Sequence, residues 1–187
     1  DIQAAANMGY KIKLLGVSQM TGRGLEQRMQ PCLVPDTSPL GQLAGGTNMI
    51  VLEGDAIGQV VLRGPGAGEG PTASAVLSDI CDIARGWHGP VFGRKATSLA
   101  SATSAAAFYL RMGLLDKPGA LAKIATVLGE AGISIDRMRQ TEHRSDLAPV
   151  LIVTHKTNRS ALDEALEAMA KTGVLATEPV ALRIEDL

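Results

Sequence analysis

The residues best suited to chemistry are the alternating glycines of Gly64-Pro65-Gly66-Ala67-Gly68-Glu69-Gly70-Pro71-Thr72, which run straight into a helical pattern, Ala73 to Ala84. Glycine lets backbone N–H groups approach a partner closely. A helix that begins there adds the positive end of its dipole, so the segment suits an anion or a polar cofactor group. The rhythm is not that of the dinucleotide fingerprint G-x-G-x-x-G, which also belongs in the first strand-helix turn of a nucleotide fold. The remaining reactive side chains form no constellation. His88, His143 and His155 share no motif, and a general-base role would need the fold to bring one into a cleft. Asp79 and Asp82 sit beside an apolar stripe, as a solvated helix face does, and Lys11 and Lys13 fall on the polar side of a strand. Cys32 and Cys81 have no metal-binding spacing and read as reduced, partly buried thiols.

The elements that must position these residues can be followed along the chain. Asp1 to Met8 reads as a helix end stopped by Gly9, and Tyr10 to Leu15 alternates apolar and basic residues as a strand with one buried face does. Gly22-Arg23-Gly24 is a turn, and Glu26 to Val34 a second strand that Pro31 confines to an edge or interrupts. Pro35 to Gly46 is loop with one helical turn at Pro39 to Leu43. The apolar runs Asn48 to Leu52 and Gln59 to Leu62 form a hairpin. The helix after the glycine loop carries Val76, Ile80, Ile83 and Ala84 on one face, so a sheet backed by this helix is the expected first core, with Trp87 packing where the helix leaves it. Gly86 to Ala106 shifts to Gly, Ser, Ala and Thr and reads as a linker.

Phe108 to Leu187 reads as its own unit. Phe108 to Leu114 is a strand, and Asp116-Lys117-Pro118-Gly119 opens a helix with Asp116 as its N-cap. Leu121, Ile124, Val127 and Leu128 form the apolar face of that helix, and Gly132 ends it. Ile133 to Gln140 and Val150 to His155 are strands. Ser160 with Asp163 caps a second helix, whose inner face is Leu162, Leu166 and Met169, and Val174 to Ile184 is the last strand. The order β-α-β-β-α-β predicts a split βαβ, ferredoxin-like sandwich with both helices on one side of a four-stranded antiparallel sheet. The fold class is therefore α+β, and the divisions are 1–85, a linker 86–106 and 107–187.

Composition bounds the function. In 187 residues, 45% are hydrophobic but only 3% aromatic, so the cores must be aliphatic, as is ordinary for a protein of sheets and helices. Eighteen basic against nineteen acidic residues, without a Lys/Arg cluster, disfavour nucleic-acid or anionic-membrane partners and point to small polar ones. No run approaches the ~18 apolar residues of a membrane span, and no signal segment opens the chain, so the expected compartment is the cytoplasm. A helix already under way at Asp1 makes the chain look like a piece of something longer.

Two families are resembled. Leu114-Leu115-Asp116-Lys117-Pro118-Gly119-Ala120-Leu121-Ala122-Lys123-Ile124, then Gly129-Glu130-Ala131-Gly132-Ile133-Ser134-Ile135, is similar to an ACT domain, a small regulatory module that typically binds an amino acid. The resemblance implies an effector site at Asp116, Lys117, Pro118, Gly119 and Ala120, where N–H groups at a helix start could hold a carboxylate. Asp1-Ile2, Gly9 to Gly16, Val34-Pro35, Ser38-Pro39-Leu40, Asn48, Gly54-Asp55 and the run from Gly64 to Ala84 resemble the C-terminal stretch of the catalytic domain of the homoserine dehydrogenase family. Ser38 departs from it, standing where many members carry His, and reads as a surface change. This second resemblance implies an enzyme that interconverts aspartate 4-semialdehyde and homoserine with NADP or NAD, whose catalytic acids and lysine lie upstream of Asp1. It places Gly68 against the nicotinamide end of the cofactor, flanked by Gly66 and Ala67. The isolated chain is then expected to be inactive, and threonine is the favoured effector because it is an end product. A homo-oligomer is expected from open sheet edges. The rival reading is a non-enzymatic amino-acid sensor whose first segment serves dimerisation.

Overall fold

The computed structural model describes residues 1–87, 89, 97–140 and 147–186. They fall into two compact units, Asp1–Pro35 with Ser98–Leu187, and Asp36–Thr97.

The first unit is built on the predicted βαββαβ sandwich: β5 (Phe108–Leu115), α4 (Ala120–Glu130), β6 (Ile135–Gln140), β7 (Leu147–Thr154), α5 (Arg159–Lys171) and β8 (Val180–Ile184). Side-chain alternation along β5 explains how the sheet holds two cores. Phe108, Leu110, Met112 and Leu114 point to the helices and pack with Ile124 and Leu128 of α4 and Leu162, Ala165 and Met169 of α5. Tyr109 points the other way, into a second cluster with Ala5, Leu33, Leu151, Val153 and Ile184. That second face is covered by α1 (Ile2–Ala6) and by β1 (Tyr10–Thr21), whose Tyr10 and Ile12 pack against it.

The sheet is larger than the sequence predicts. β1 and β2 (Gly24–Pro35) form a long antiparallel hairpin, and β2 joins β8 in parallel through Cys32↔Arg183 and Leu33↔Ile184. The strand order is β1-β2-β8-β5-β7-β6. Pro31 does not interrupt β2. It pairs with Leu14 of β1 just before the pairing to β8 begins, where the strand needs no donor on that side. The expected alternation in β1 also fails at its middle: Leu14 is 65% exposed while Leu15 is buried at 8%. In the last strand the ladder starts at Val180 rather than Val174, because Ala176 N and Thr177 N are engaged by Gly113 O instead. The capping box at Ser160 does not form. Asn158 is the N-cap of α5, and Asp163 accepts from Arg159 Nε at 2.8 and 3.0 Å.

Covered charges stitch β2 to β8 and to the chain before β5. Arg28 Nε and Nη2 donate to Glu185 Oε1 at 3.0 and 2.9 Å, and Arg183 Nε donates to the same oxygen at 2.8 Å. Arg28 Nη1 also donates to Glu26 Oε2 at 3.2 Å. Glu26 further accepts the Ser104 hydroxyl at 2.6 Å and the Ser104 N–H at 3.0 Å. Those two hydrogen bonds, with Arg28 and Arg23 adding to them against the cost of burial, hold the Glu26 carboxyl below its ordinary range. The described end of the predicted linker is thus strapped down: Leu25 N donates to Ser98 O and Ala100 N to Leu25 O, both at 2.9 Å. Cys32 lies buried beside this network, and burial with the nearby Glu185 charge pushes its thiol up to about 11. Cys81 is exposed.

The second unit comprises α2 (Pro39–Gln42), the hairpin β3 (Thr47–Gly54) with β4 (Gly58–Pro65), and α3 (Glu69–Ala84). Ser38 is no surface change. It is buried at 8% as the N-cap of α2, its Oγ accepting from Gly41 N at 3.1 Å. The expected core of hairpin and helix is absent among the described residues. α3 buries none of its side chains, and Val76, Leu77, Ile80 and Ile83 are all more than half exposed. Ile50, Leu52 and Leu62 of the hairpin are equally open, and Trp87 is exposed rather than packed.

Candidate functional site

The hairpin register delivers the glycine loop. Counting back from the Gly54↔Gly58 turn, Asn48 pairs with Gly64 and Thr47 with Pro65, so the ladder closes as the glycines begin. α3 starts earlier than the predicted Ala73, at Glu69, because Pro71 is compatible with a first turn where no N–H is required. Gly68 is its N-cap, with φ at +123°, a conformation that side chains disfavour. Positive φ therefore falls at Gly68 and not at Gly64 or Gly70. A Cβ on Gly68 would meet nothing nearer than Pro71 Cδ at 3.6 Å, so it is backbone conformation rather than crowding inside the chain that calls for glycine here. Thr72 N donates to Gly68 O at 3.1 Å as the first intrahelical bond, which leaves the N–H groups of Glu69 and Gly70 without an intrahelical acceptor. Ala67 and its neighbours from Pro65 to Gly70 are exposed.

Gly66 is glycine for a different reason. Its φ is not positive, but a Cβ built on it would lie 1.6 Å from Asn48 Nδ2 and 2.9 Å from Asn48 Cγ. The carboxamide of Asn48 occupies that space. Sequence reading placed Asn48 in the family pattern without giving it a role. The signal that reveals one is the hairpin register, which puts residue 48 opposite Gly64 and diagonal to Gly66.

The second candidate is the loop between β5 and α4. Asp116 is not the cap of α4, which begins at Ala120 with Gly119 as N-cap at φ +82°. Lys117 N donates to Leu115 O at 2.8 Å and Ala120 N to Lys117 O at 3.1 Å, a tight turn that brings the chain round before the helix. Asp116, Lys117, Pro118 and Gly119 are exposed, whereas the Ala120 methyl is in the core. Leu121 and Ala122, in the first turn, have N–H groups with no intrahelical acceptor by position. The histidines contribute nothing that can be placed in either site: His155 is exposed, with Nε2 at 4.0 Å from Asp136 Oδ1, and His88 and His143 lie outside the described residues. Lys11 and Asp79 are exposed, and Asp82 stands 3.9 Å from Arg85. Among the described residues no group of His, Cys, Asp and Glu could hold a metal ion, and no helix is long and apolar enough to cross a membrane.

Comparison with known proteins agrees with this division of features. The family model for homoserine dehydrogenase matches residues 1–81, and that for the ACT domain matches residues 108–174. The chain is similar along its whole length to the homoserine dehydrogenases of Pseudomonas aeruginosa and Neisseria gonorrhoeae, at 33% identity each. It is 30% identical to that of Bacillus subtilis over 99% of the chain. It spans about half the length of these relatives, 46%, 46% and 45%. Among solved structures, a homoserine dehydrogenase from Thiobacillus denitrificans matches the full chain with a TM-score of 0.85 at 30% identity, over 45% of its own length. The S. aureus homoserine dehydrogenase at 23% identity and a TM-score of 0.63 shares the fold. Residues 1–81 thus resemble the homoserine dehydrogenase family and residues 108–174 the ACT domain, and the similarity along the full chain is to homoserine dehydrogenases about twice its length.

Proposed function

We propose that the chain serves as the C-terminal part of an NAD(P)-dependent homoserine dehydrogenase, an oxidoreductase that interconverts aspartate 4-semialdehyde and L-homoserine in the cytoplasm on the route to threonine, methionine and isoleucine. In this reading residues 1–85 complete the catalytic domain, 86–106 link it and 107–187 sense an amino acid. The observation that carries it is Gly68, a bare N-cap at the head of a sixteen-residue helix, with two free N–H groups behind it. The nicotinamide cofactor supplies the hydride when bound. Gly68 presents backbone without a side chain to its nicotinamide end, and Gly66 and Ala67 flank it. The exposed apolar faces of the hairpin and α3 support a larger catalytic domain, because a patch of that kind is covered in a working protein. The catalytic acid and base belong to that remainder, so these residues alone form one edge of a site and catalyse nothing.

The N–H groups of Leu121 and Ala122 in the first turn of α4, directly after the Asp116-to-Ala120 loop, offer donors to an effector carboxylate, and threonine is the effector that end-product control favours. The open edges of the six-stranded sheet at β1 and β6 suit pairing with a second copy in a homo-oligomer. Two measurements test the reading. Homoserine-dependent reduction of NAD(P) should be seen when the chain is joined to the dehydrogenase half that the relatives carry, and not with the chain alone. Turnover by the chain alone would overturn the placement of the catalytic groups, and turnover by neither would overturn the enzyme. Calorimetry with threonine, isoleucine, methionine and lysine should show binding of threonine; binding of none would remove the sensor.

A further inference from the structure

We infer that Asn48 is a positioning residue of the glycine loop, acting through Gly66 on the backbone that Gly68 presents to the cofactor; this rests on the reading of Gly68 given under Proposed function. The two residues behave as one packed unit. Asn48 lies on β3 opposite Gly64, which has no side chain of its own, and a Cβ there would meet nothing within 4 Å. The Asn48 side chain therefore has no direct cross-strand neighbour and extends diagonally to Gly66, where its Nδ2 and Cγ fill the space a side chain would take, with Oδ1 3.6 Å from the same point. Gly66 is not held by φ, so its glycine is required by Asn48. Its neighbour two residues on is the strained one, Gly68 at +123°. A carboxamide wedged over Gly66 fixes where Pro65 leaves β4 and hence the direction from which the chain enters that conformation. A nicotinamide ring needs this segment placed to a fraction of an ångström.

The test uses the full-length enzyme and equilibrium NADPH binding followed by nicotinamide fluorescence, with no turnover required. Asn48→Ala should weaken NADPH binding about tenfold, the scale on which loosened supporting residues act. The isosteric Asn48→Asp should bind within about twofold of the parent, because the role is to fill and brace. Gly66→Ala should weaken binding by itself but cost little more in an Asn48→Gly background, since the obstructing carboxamide is then gone. Far-ultraviolet circular dichroism of each variant shows that the comparison is between folded proteins. Equal NADPH binding by Asn48→Ala and the parent would overturn the inference. So would a Gly66→Ala cost that is the same with and without Asn48, because Gly66 would then meet the cofactor directly. A parent enzyme that binds neither NADPH nor NADH would instead overturn the cofactor reading and this inference with it.

Discussion

Replacing Glu26 by Gln should destabilise the first unit by about 2 kcal/mol. Glu26 is 2% exposed and receives the Ser104 hydroxyl and N–H, Arg28 and Arg23. The carboxamide introduced by Glu26→Gln keeps an acceptor for Ser104 but removes the charge, leaving Arg28 and Arg183 to share Glu185. Hydrogen bonds to a charged group contribute about 1.5–3 kcal/mol. The carboxylate is covered by its own partners rather than sunk deep in the protein, so the lower part of that range applies. For a chain of this size the melting temperature should fall by about 5 °C. The pH dependence carries the sign. The folded pKa of Glu26 lies below its ordinary 4.5, so the unfolded state binds the proton more readily as pH falls. The stabilisation is complete above about pH 4.5 and drains as pH drops through the lower folded value. Thermal unfolding followed by circular dichroism should show the gap between parent and Glu26→Gln widest near neutrality and closing in acid. A gap under about 1 °C at neutral pH, or one that does not change with pH, would show that the Glu26 charge does not stabilise the fold.

Three further outcomes are expected. A thiol reagent at mildly alkaline pH should label Cys81 alone in the native chain and reach Cys32 only on unfolding, because Cys32 is buried and its thiol is pushed up to about 11; two labelled thiols in the native protein would contradict this. Gly24→Ala places a Cβ 2.5 Å from Ser98 O on a backbone at φ +120°. It should cost about 1–3 kcal/mol in urea unfolding and hasten proteolysis near Ser98, whereas Gly22→Ala, where a Cβ meets nothing, serves as the neutral control. Binding of NADPH should fall about tenfold in Asn48→Ala, as argued above.

The βαββαβ unit is legible because its signals are local and agree with one another: an apolar stripe such as Leu121, Ile124 and Leu128, and Gly132 closing the helix that carries it. What escaped was non-local. Nothing in Cys32-Leu33 announces a parallel pairing with Arg183-Ile184, and so the enlargement of the sheet to six strands went unseen. Cap positions are less legible: the cap of α4 is Gly119 in a left-handed conformation rather than Asp116, because the chain makes a tight turn before the helix starts at Ala120. The helix after the glycine loop was legible as a helix, but its apolar face at Val76, Ile80 and Ile83 pointed to a core that these residues do not form among themselves. At the candidate site the glycines were visible in the sequence. Their separate reasons were not, because the clash at Gly66 arises from Asn48 across a hairpin.

In the proposed enzyme Gly68 presents bare backbone to a nicotinamide cofactor. Gly68→Ala in the full-length enzyme tests it most directly, with NADPH binding and the melting temperature measured on the same sample. With φ at +123° and open space around the added methyl, NADPH binding should be at least about tenfold weaker while the protein remains folded. NADPH binding equal to that of the parent would contradict it.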